Sequence, residues 1–399
     1  MKRKRNLVVG STLLALLGAL GVAQYMLEKT ATAQAKGGVQ APRFEVDPMW
    51  PKPLPNHWVY GNVIGVGVDK NDHVYIIHRG AGSLEPKEIY ATTNPPSSEC
   101  CVPAPPVVEF DADGNFVRAW GGPGAGYEWP ESNHGITPDA KGNLFIGGNG
   151  GNDGHILKFT QDGKFVKQFG FAYASAGSND MFAFNKVAKV SLDEAANEAY
   201  VSDGYGNHRV AVMDMDTGKI KRYWGAYGHK PDDTPLGNYN PEAPLAQQFR
   251  NPVHCAEPSN DGMVYVCDRP NDRIQVFKKN GEFVKETQVA KTTRGDGSVW
   301  DIAFSKDAAQ KYFYLADGAN EKVHVFDRLS LTELTSFGDG GRQPGQFYAV
   351  HSIATDSKGN VYTTETYRGQ RLQKFVYKGL AAVTKPNQGT VWPTRTTTR

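Results

Sequence analysis

The sequence predicts an all-β protein, a six-bladed β-propeller, and three observations carry that prediction. A unit of four short apolar strands separated by Asp, Asn and Gly turns recurs six times. Within each unit apolar and polar residues alternate with a period of two, as half-buried strands require. The composition, with 44 Gly, 24 Pro, 19 Phe and 18 Tyr in 399 residues, suits short strands and tight turns. A four-stranded meander cannot bury both faces alone, so repetition about an axis covers them and leaves only short edges.

Residues 1–35 read as a targeting leader: "MKRKR" is a basic start, "LVVGSTLLALLGALGV" an apolar stretch, and "ATAQA" ends in an A-x-A site. A signal peptide implies bacterial export, with a periplasmic or secreted product. The alternative is an uncleaved inner-membrane anchor, since residues 7–27 are just long enough to span a bilayer. Residues 36–60 precede the first full unit and are expected to pack on or close the ring by adding a strand to the last blade. The ring itself is read over 61–380.

Unit one pairs "VIGVGVDKNDHVYIIHRG" with "VVEFDADGNFVRAWG", and unit two "HGITPDAKGNLFIGG" with "HILKFTQDGKFVKQFG". Unit three is "VAKVSLDEAANEAYVSDG" with "RVAVMDMDTGKIKRYWG", and unit four "VHCAEPSNDGMVYVCD" with "RIQVFKKNGEFVKE". Units five and six are "VWDIAFSKDAAQKYFYLAD" with "KVHVFDRLSLTELTSFG" and "VHSIATDSKGNVYTTE" with "RLQKFVYKG". An insertion at 81–106 interrupts unit one and either covers one mouth of the ring or decorates the surface. Residues 381–399 are polar and aperiodic and read as a loose tail.

An exported chain permits disulfides. Cys255 and Cys267 flank the turn "SNDG", which places them opposite one another in a hairpin and predicts a bridge. Cys100 and Cys101 are adjacent and form either a vicinal disulfide or two free thiols. The formal net charge of +2 leaves no nucleic-acid footprint.

Histidines open three innermost strands: His134 in unit two, His254 in unit four and His351 in unit six. The corresponding places in units three and five hold Lys186 or Val187, and Asp301. Alternate blades of a six-fold ring lie about 120° apart, so the three imidazoles converge on the central channel. Three neutral histidines with an open fourth position are the ligand set of a catalytic zinc. His57, His73, His155, His208, His229 and His324 do not share the register and read as surface or packing residues; His78 stays open. Arg79, at the end of "IIHRG", Tyr205 in "VSDGYGNHRV" and Arg269 in "CDRPNDRIQ" border one mouth. Guanidiniums there hold a carboxylate and a phenol moves a proton, although each alone also reads as a rim salt bridge or a turn aromatic.

The blades resemble NHL repeats, and "VYIIHRG", "NHGI", "VSDGYGNHRV", "CDRPNDRIQ" and "VHSIATDSKGNVY" together resemble the peptidyl-α-hydroxyglycine α-amidating lyases, in matching order over most of the chain after residue 60. The resemblance implies that His134, His254 and His351 ligate zinc, that Arg79 and Tyr205 are catalytic, and that Arg269 binds substrate. It implies cleavage of a C-terminal α-hydroxyglycine to an amide and glyoxylate. The chain departs from that family in the long insertion carrying Cys100 and Cys101 and at two single positions. Ser352 stands where an Asp helps hold calcium, which puts a calcium ion in doubt, and Gly206 stands where a cysteine follows the tyrosine. The expected partner is a small molecule or peptide bearing a carboxylate, the expected state is a monomer, and membrane contact is expected only through an uncleaved N-terminal segment. A lactonase-like metal hydrolase and a non-catalytic binding propeller are the alternative functions.

Overall fold

Each blade is shaped by the turns its sequence encodes. In "PDAKGN", residues 138–143, the Asn143 backbone N–H donates to Asp139 Oδ1 at 2.8 Å while Gly142 takes a left-handed φ of +85°, and the chain reverses between two apolar strands. Asp356 and Gly359 repeat the device, with Asn360 N donating to Asp356 Oδ1 at 2.9 Å.

A computed structural model describes residues 38–173 and 175–393; the leader at 1–35 lies outside them, and among the described residues no helix is long and apolar enough to cross a membrane. Blade 1 comprises Val63–Val68, Val74–His78, Val107–Phe110 and Phe116–Trp120. Blades 2 to 5 are four-stranded antiparallel meanders over 133–170, 187–224, 253–288 and 301–337. Blade 6 takes Val350–Thr355, Val361–Glu365 and Arg371–Ala382 from one end of the chain and its outer strand, Gln40–Asp47, from the other. The innermost strands touch in cyclic order, so the sheets form a closed six-bladed propeller.

The core lies between neighbouring sheets. At the seam of blades 2 and 3, Phe145, Ile156 and Phe169 pack against Val190, Val201 and Ala211, all buried; each large side chain so buried contributes about 1.5–3 kcal/mol. Trp50 seals the closing seam, its ring 5.9 Å from Phe110 of blade 1 and 4.9 Å from Tyr362 of blade 6.

The tail differs from expectation. Beyond Ala382 it straps blades 5 and 6: Ser336 N donates to Pro386 O at 2.8 Å, Gly338 N to Gly389 O at 2.8 Å, and Val46 N to Val391 O at 2.7 Å. Val391 fills a place in the core there, which the polar residues around it conceal in the sequence.

The insertion runs through three single-turn 3-10 segments, Gly80–Ser83, Pro86–Glu88 and Tyr90–Thr92, then returns as Val102–Pro103 in parallel with Trp58–Val59. Gln370 Nε2 donates to Ser83 O at 3.0 Å and Arg368 pairs with Glu85 at 3.1 Å. The insertion therefore bridges blades 1 and 6 on the face where the innermost strands begin. His78 anchors it: fully buried, it accepts at Nδ1 from Gly61 N at 3.2 Å and Gly80 N at 3.0 Å and donates from Nε2 to Pro105 O at 3.0 Å. Burial pushes its pKa down to about 4, so it is a neutral structural residue. Cys100 and Cys101 are disulfide-bonded to each other on the exposed stretch, and Cys255 is bonded to Cys267 across blade 4.

His324 is also structural. Burial works against its charge, but hydrogen bonds to Asp317 at 3.1 Å and Glu333 at 2.7 Å outweigh burial and raise it to about 9. A raised folded-state pKa contributes stability that is complete below the unfolded value of about 6.5 and is lost as pH rises through about 9. The denaturant midpoint should fall between pH 6.5 and pH 9.5, and His324→Gln should flatten that decline; an equal decline in both proteins would assign it elsewhere.

Candidate metal centre

The histidines reach the axis because their strands bulge. In blade 4, Val253 pairs with Asp268 and Cys255 with Cys267, which leaves His254 out of the ladder. The same shift occurs around His134 and around His351. A bulge turns its extra side chain away from the sheet plane, and here it turns three imidazoles into the channel. All three are buried, and their nearest ligand nitrogens lie within 4.8 Å of one another.

The intervening blades hold those rings. His134 Nδ1 donates to Ala188 O of blade 3 at 2.7 Å, His254 Nδ1 to Trp300 O of blade 5, and His351 Nδ1 to Ile64 O of blade 1 at 2.7 Å. A carbonyl only accepts, so each Nδ1 carries the proton and each Nε2 presents a lone pair. Burial pushes His134 down to about 3, with Arg79 and Arg269 acting in the same direction. Burial likewise holds His254 and His351 well below their ordinary value, reinforced by the neighbouring imidazoles and by Arg269.

Tyr205 sits over this cluster, its hydroxyl 3.0 Å from His134 Nε2 and 3.1 Å from His254 Nε2. One phenolic proton serves only one of these two acceptor nitrogens, so the cluster keeps an Nε2 lone pair that the phenol does not satisfy. Three neutral nitrogens with oriented Nδ1 protons are what a zinc-type ion takes, and the residues fit such a group.

Two buried ion pairs fix the turns above it. Asp203–Arg209, at 2.8 Å, brackets the turn carrying Tyr205, and Asp268–Arg273, at 2.7 Å, brackets Arg269. Arg269 donates to the Tyr205 hydroxyl at 3.2 Å, lies 4.6 Å over the Trp300 ring and pairs with Asp296 at 3.4 Å. Arg79 donates to Asn149 Oδ1 at 3.0 Å and makes no ion pair among the described residues. Burial lowers its pKa, an effect that Tyr205 and Tyr367 oppose. The geometry thus brings His134, His254, His351, Tyr205, Arg79 and Arg269 to one mouth.

The sequence reading missed Asn149, Asp296, Trp300 and Tyr367, whose hydroxyl donates to Asp296 at 2.9 Å. Register alignment of "VWDIAF" with the histidine strands would have found Trp300; the other three lie in connections, where no period reports position. Lys186 and Val187 were misplaced. The bulge in blade 3 between Val187 and Lys189 sets Ala188 level with the histidines, and the side chain reaching the axis is Lys189.

Lys189 bears on calcium. Its ammonium lies 2.8 and 3.0 Å from the two oxygens of Asp301, and Ser352 Oγ and Ile353 N donate to the same carboxylate at 2.7 and 3.1 Å. Both Asp301 oxygens are committed, so the residues below the histidines do not fit a calcium site. At Gly206 a Cβ would fall 2.2 Å from Asn185 Cγ, so a cysteine there would require the Asn185 side chain to move.

Fold and site define a six-bladed propeller with a three-histidine cluster on its axis. The family model described as "Lactonase, 7-bladed beta-propeller" matches residues 155–358, just over half of the chain, and the protein belongs to that family, with six four-stranded sheets among its described residues. NHL repeat-containing protein 3 of Mus musculus is 24% identical over 381 residues, covering 88% of this chain and 89% of that protein. Peptidylglycine alpha-amidating monooxygenase of Rattus norvegicus is 24% identical over 313 residues; the match covers 77% of this chain but only 30% of that longer relative. A solved Bacteroides thetaiotaomicron structural-genomics protein superposes with a TM-score of 0.51 at 13% identity, covering 85% of this chain and 76% of that one, and shares the fold.

Proposed function

We propose that the protein is an exported zinc-dependent lyase of the peptidylamidoglycolate type. The observation that carries this reading is the convergence of three neutral, oriented imidazoles beneath one phenol and two guanidiniums. The rat amidating relative supports the reaction class, and the leader pattern with two disulfides supports export. His134, His254 and His351 would hold the ion, which when bound polarises the oxygen of a carbonyl or hydroxyl.

The chain's own groups perform the rest. Arg79, with no carboxylate partner among the described residues, binds the substrate carboxylate, and Arg269 borders the same site. The Tyr205 hydroxyl takes the proton of the α-hydroxyl and returns one to the departing nitrogen as the C–N bond breaks, so the hydroxyl carbon becomes the aldehyde of glyoxylate and the peptide leaves as an amide. Incubation of the zinc-reconstituted protein with an α-hydroxyglycine-terminated peptide should release glyoxylate and amide in equal amounts.

The family model supports a second reading, hydrolysis of a lactone by the same centre. Turnover of lactones with no glyoxylate from the peptide would select it and reject the lyase.

A further inference from the structure

A buried ammonium lies one layer below the histidines, and the residues it joins are the neighbours of those that orient them. Lys189 is enclosed and meets Glu257 at 2.8 Å as well as both oxygens of Asp301. Glu257 is held in turn by Ser191 Oγ at 2.7 Å. Burial works against the charge of Lys189, but Asp301 and Glu257 outweigh it and hold its pKa above the ordinary value.

Position gives the cluster its meaning. Lys189 follows Ala188, whose carbonyl holds the Nδ1 proton of His134. Asp301 follows Trp300, whose carbonyl holds that of His254. Ser352 follows His351 and donates to Asp301. One ammonium and one carboxylate therefore tie together blades 3, 5 and 6, each at the residue next to a part of the histidine cradle. The contact between the inner strands of blades 2 and 3 is already close: a Cβ on Gly135 would fall 2.7 Å from Ala188 O, so small shifts there reach His134.

We infer that Lys189 is a positioning residue, a covalently supplied cation that, through Asp301 and Ser352, sets the three imidazoles for metal capture in place of a structural metal ion. The inference rests on the proposed metal centre. Its energetic logic is preorganisation: partners that orient a ligating histidine typically control metal affinity by roughly 10–100-fold, and this network holds two of the three accepting carbonyls and the third histidine's strand.

The test is zinc affinity, measured by competition with a chromophoric chelator, for wild type, Lys189→Ala and Ser352→Ala, with a thermal melt of each. Lys189→Ala leaves Asp301 and Glu257 facing each other in a buried channel and is the severe variant. Ser352→Ala removes a single hydrogen bond and keeps the folded ring within reach if the first fails to fold. The expected result is zinc bound by wild type, roughly 10–100-fold weaker binding in Lys189→Ala and a loss of several-fold in Ser352→Ala, whose melt stays at the wild-type temperature. Unchanged affinity in Ser352→Ala, or in a folded Lys189→Ala that merely melts earlier, would make the network a plain structural clamp and overturn the inference while leaving the metal centre intact. Absence of zinc binding by wild type itself would overturn the metal centre, and the inference with it.

Discussion

His254→Ala should abolish zinc binding and glyoxylate release together while the ring remains folded. His254 completes a near-equilateral triangle of imidazoles: its ring centroid lies 5.1 Å from that of His134 and 4.8 Å from that of His351, which are 4.9 Å apart, and Tyr205 reaches it at 3.1 Å. Its Nδ1 is committed to Trp300 O, so no other orientation presents Nε2 equally well. Removal leaves two nitrogens, and affinity should fall by more than the roughly 10–100-fold that loss of a supporting partner costs. His155→Gln is the control. That residue is equally buried but binds Glu128 O, in the connection leading into blade 2, at 2.6 Å, and its replacement should keep the metal. Loss of zinc from both variants would point to general destabilisation, and retention in His254→Ala would remove it from the ligand set.

Tyr205→Phe should leave the metal in place and strike the chemical step. The phenol touches His134, His254 and Arg269 within 3.2 Å, yet the ligand set contains only nitrogens. General acid–base groups contribute typically 10²–10⁴-fold, so kcat should drop by about that factor, or about 3–5 kcal/mol. The phenylalanine ring keeps the packing against His134, whose centroid is 4.9 Å away, and KM should move little because Arg79 remains. A kcat within threefold of wild type would make Tyr205 a binding or packing group and shift the proton transfer elsewhere.

Much of this site was legible because the repeat is a ruler. Once six units are aligned, a histidine at the same place in units two, four and six can only point to one axis, and the turns after the second strands can only surround one mouth. What stayed hidden was set by exceptions to the period. Bulges moved the channel position of blade 3 from Val187 to Lys189, and no alternation pattern reports a bulge. The carbonyls of Ile64, Ala188 and Trp300 carry no sequence signature, because any residue supplies one. Tyr367 and Asp296 come from loops whose paths depend on packing. In the fold, the loose tail was misread because backbone hydrogen bonds, which carry no sequence signature, hold it to blades 5 and 6, with Val383 and Val391 packing on the core. Ser352 put a calcium ion in doubt, and the residues around it do not fit one, since the Lys189 ammonium already pairs with both oxygens of Asp301.

The central claim is that three imidazole nitrogens on the propeller axis hold zinc. Zinc-edge X-ray absorption on the reconstituted protein tests it most directly, with elemental analysis on the same sample. The account predicts about one zinc per chain, with three imidazole nitrogens at roughly 2.0–2.1 Å and one further light-atom ligand. No bound zinc after reconstitution, or a shell without imidazole scattering, would contradict it and leave a ligand-binding propeller in its place.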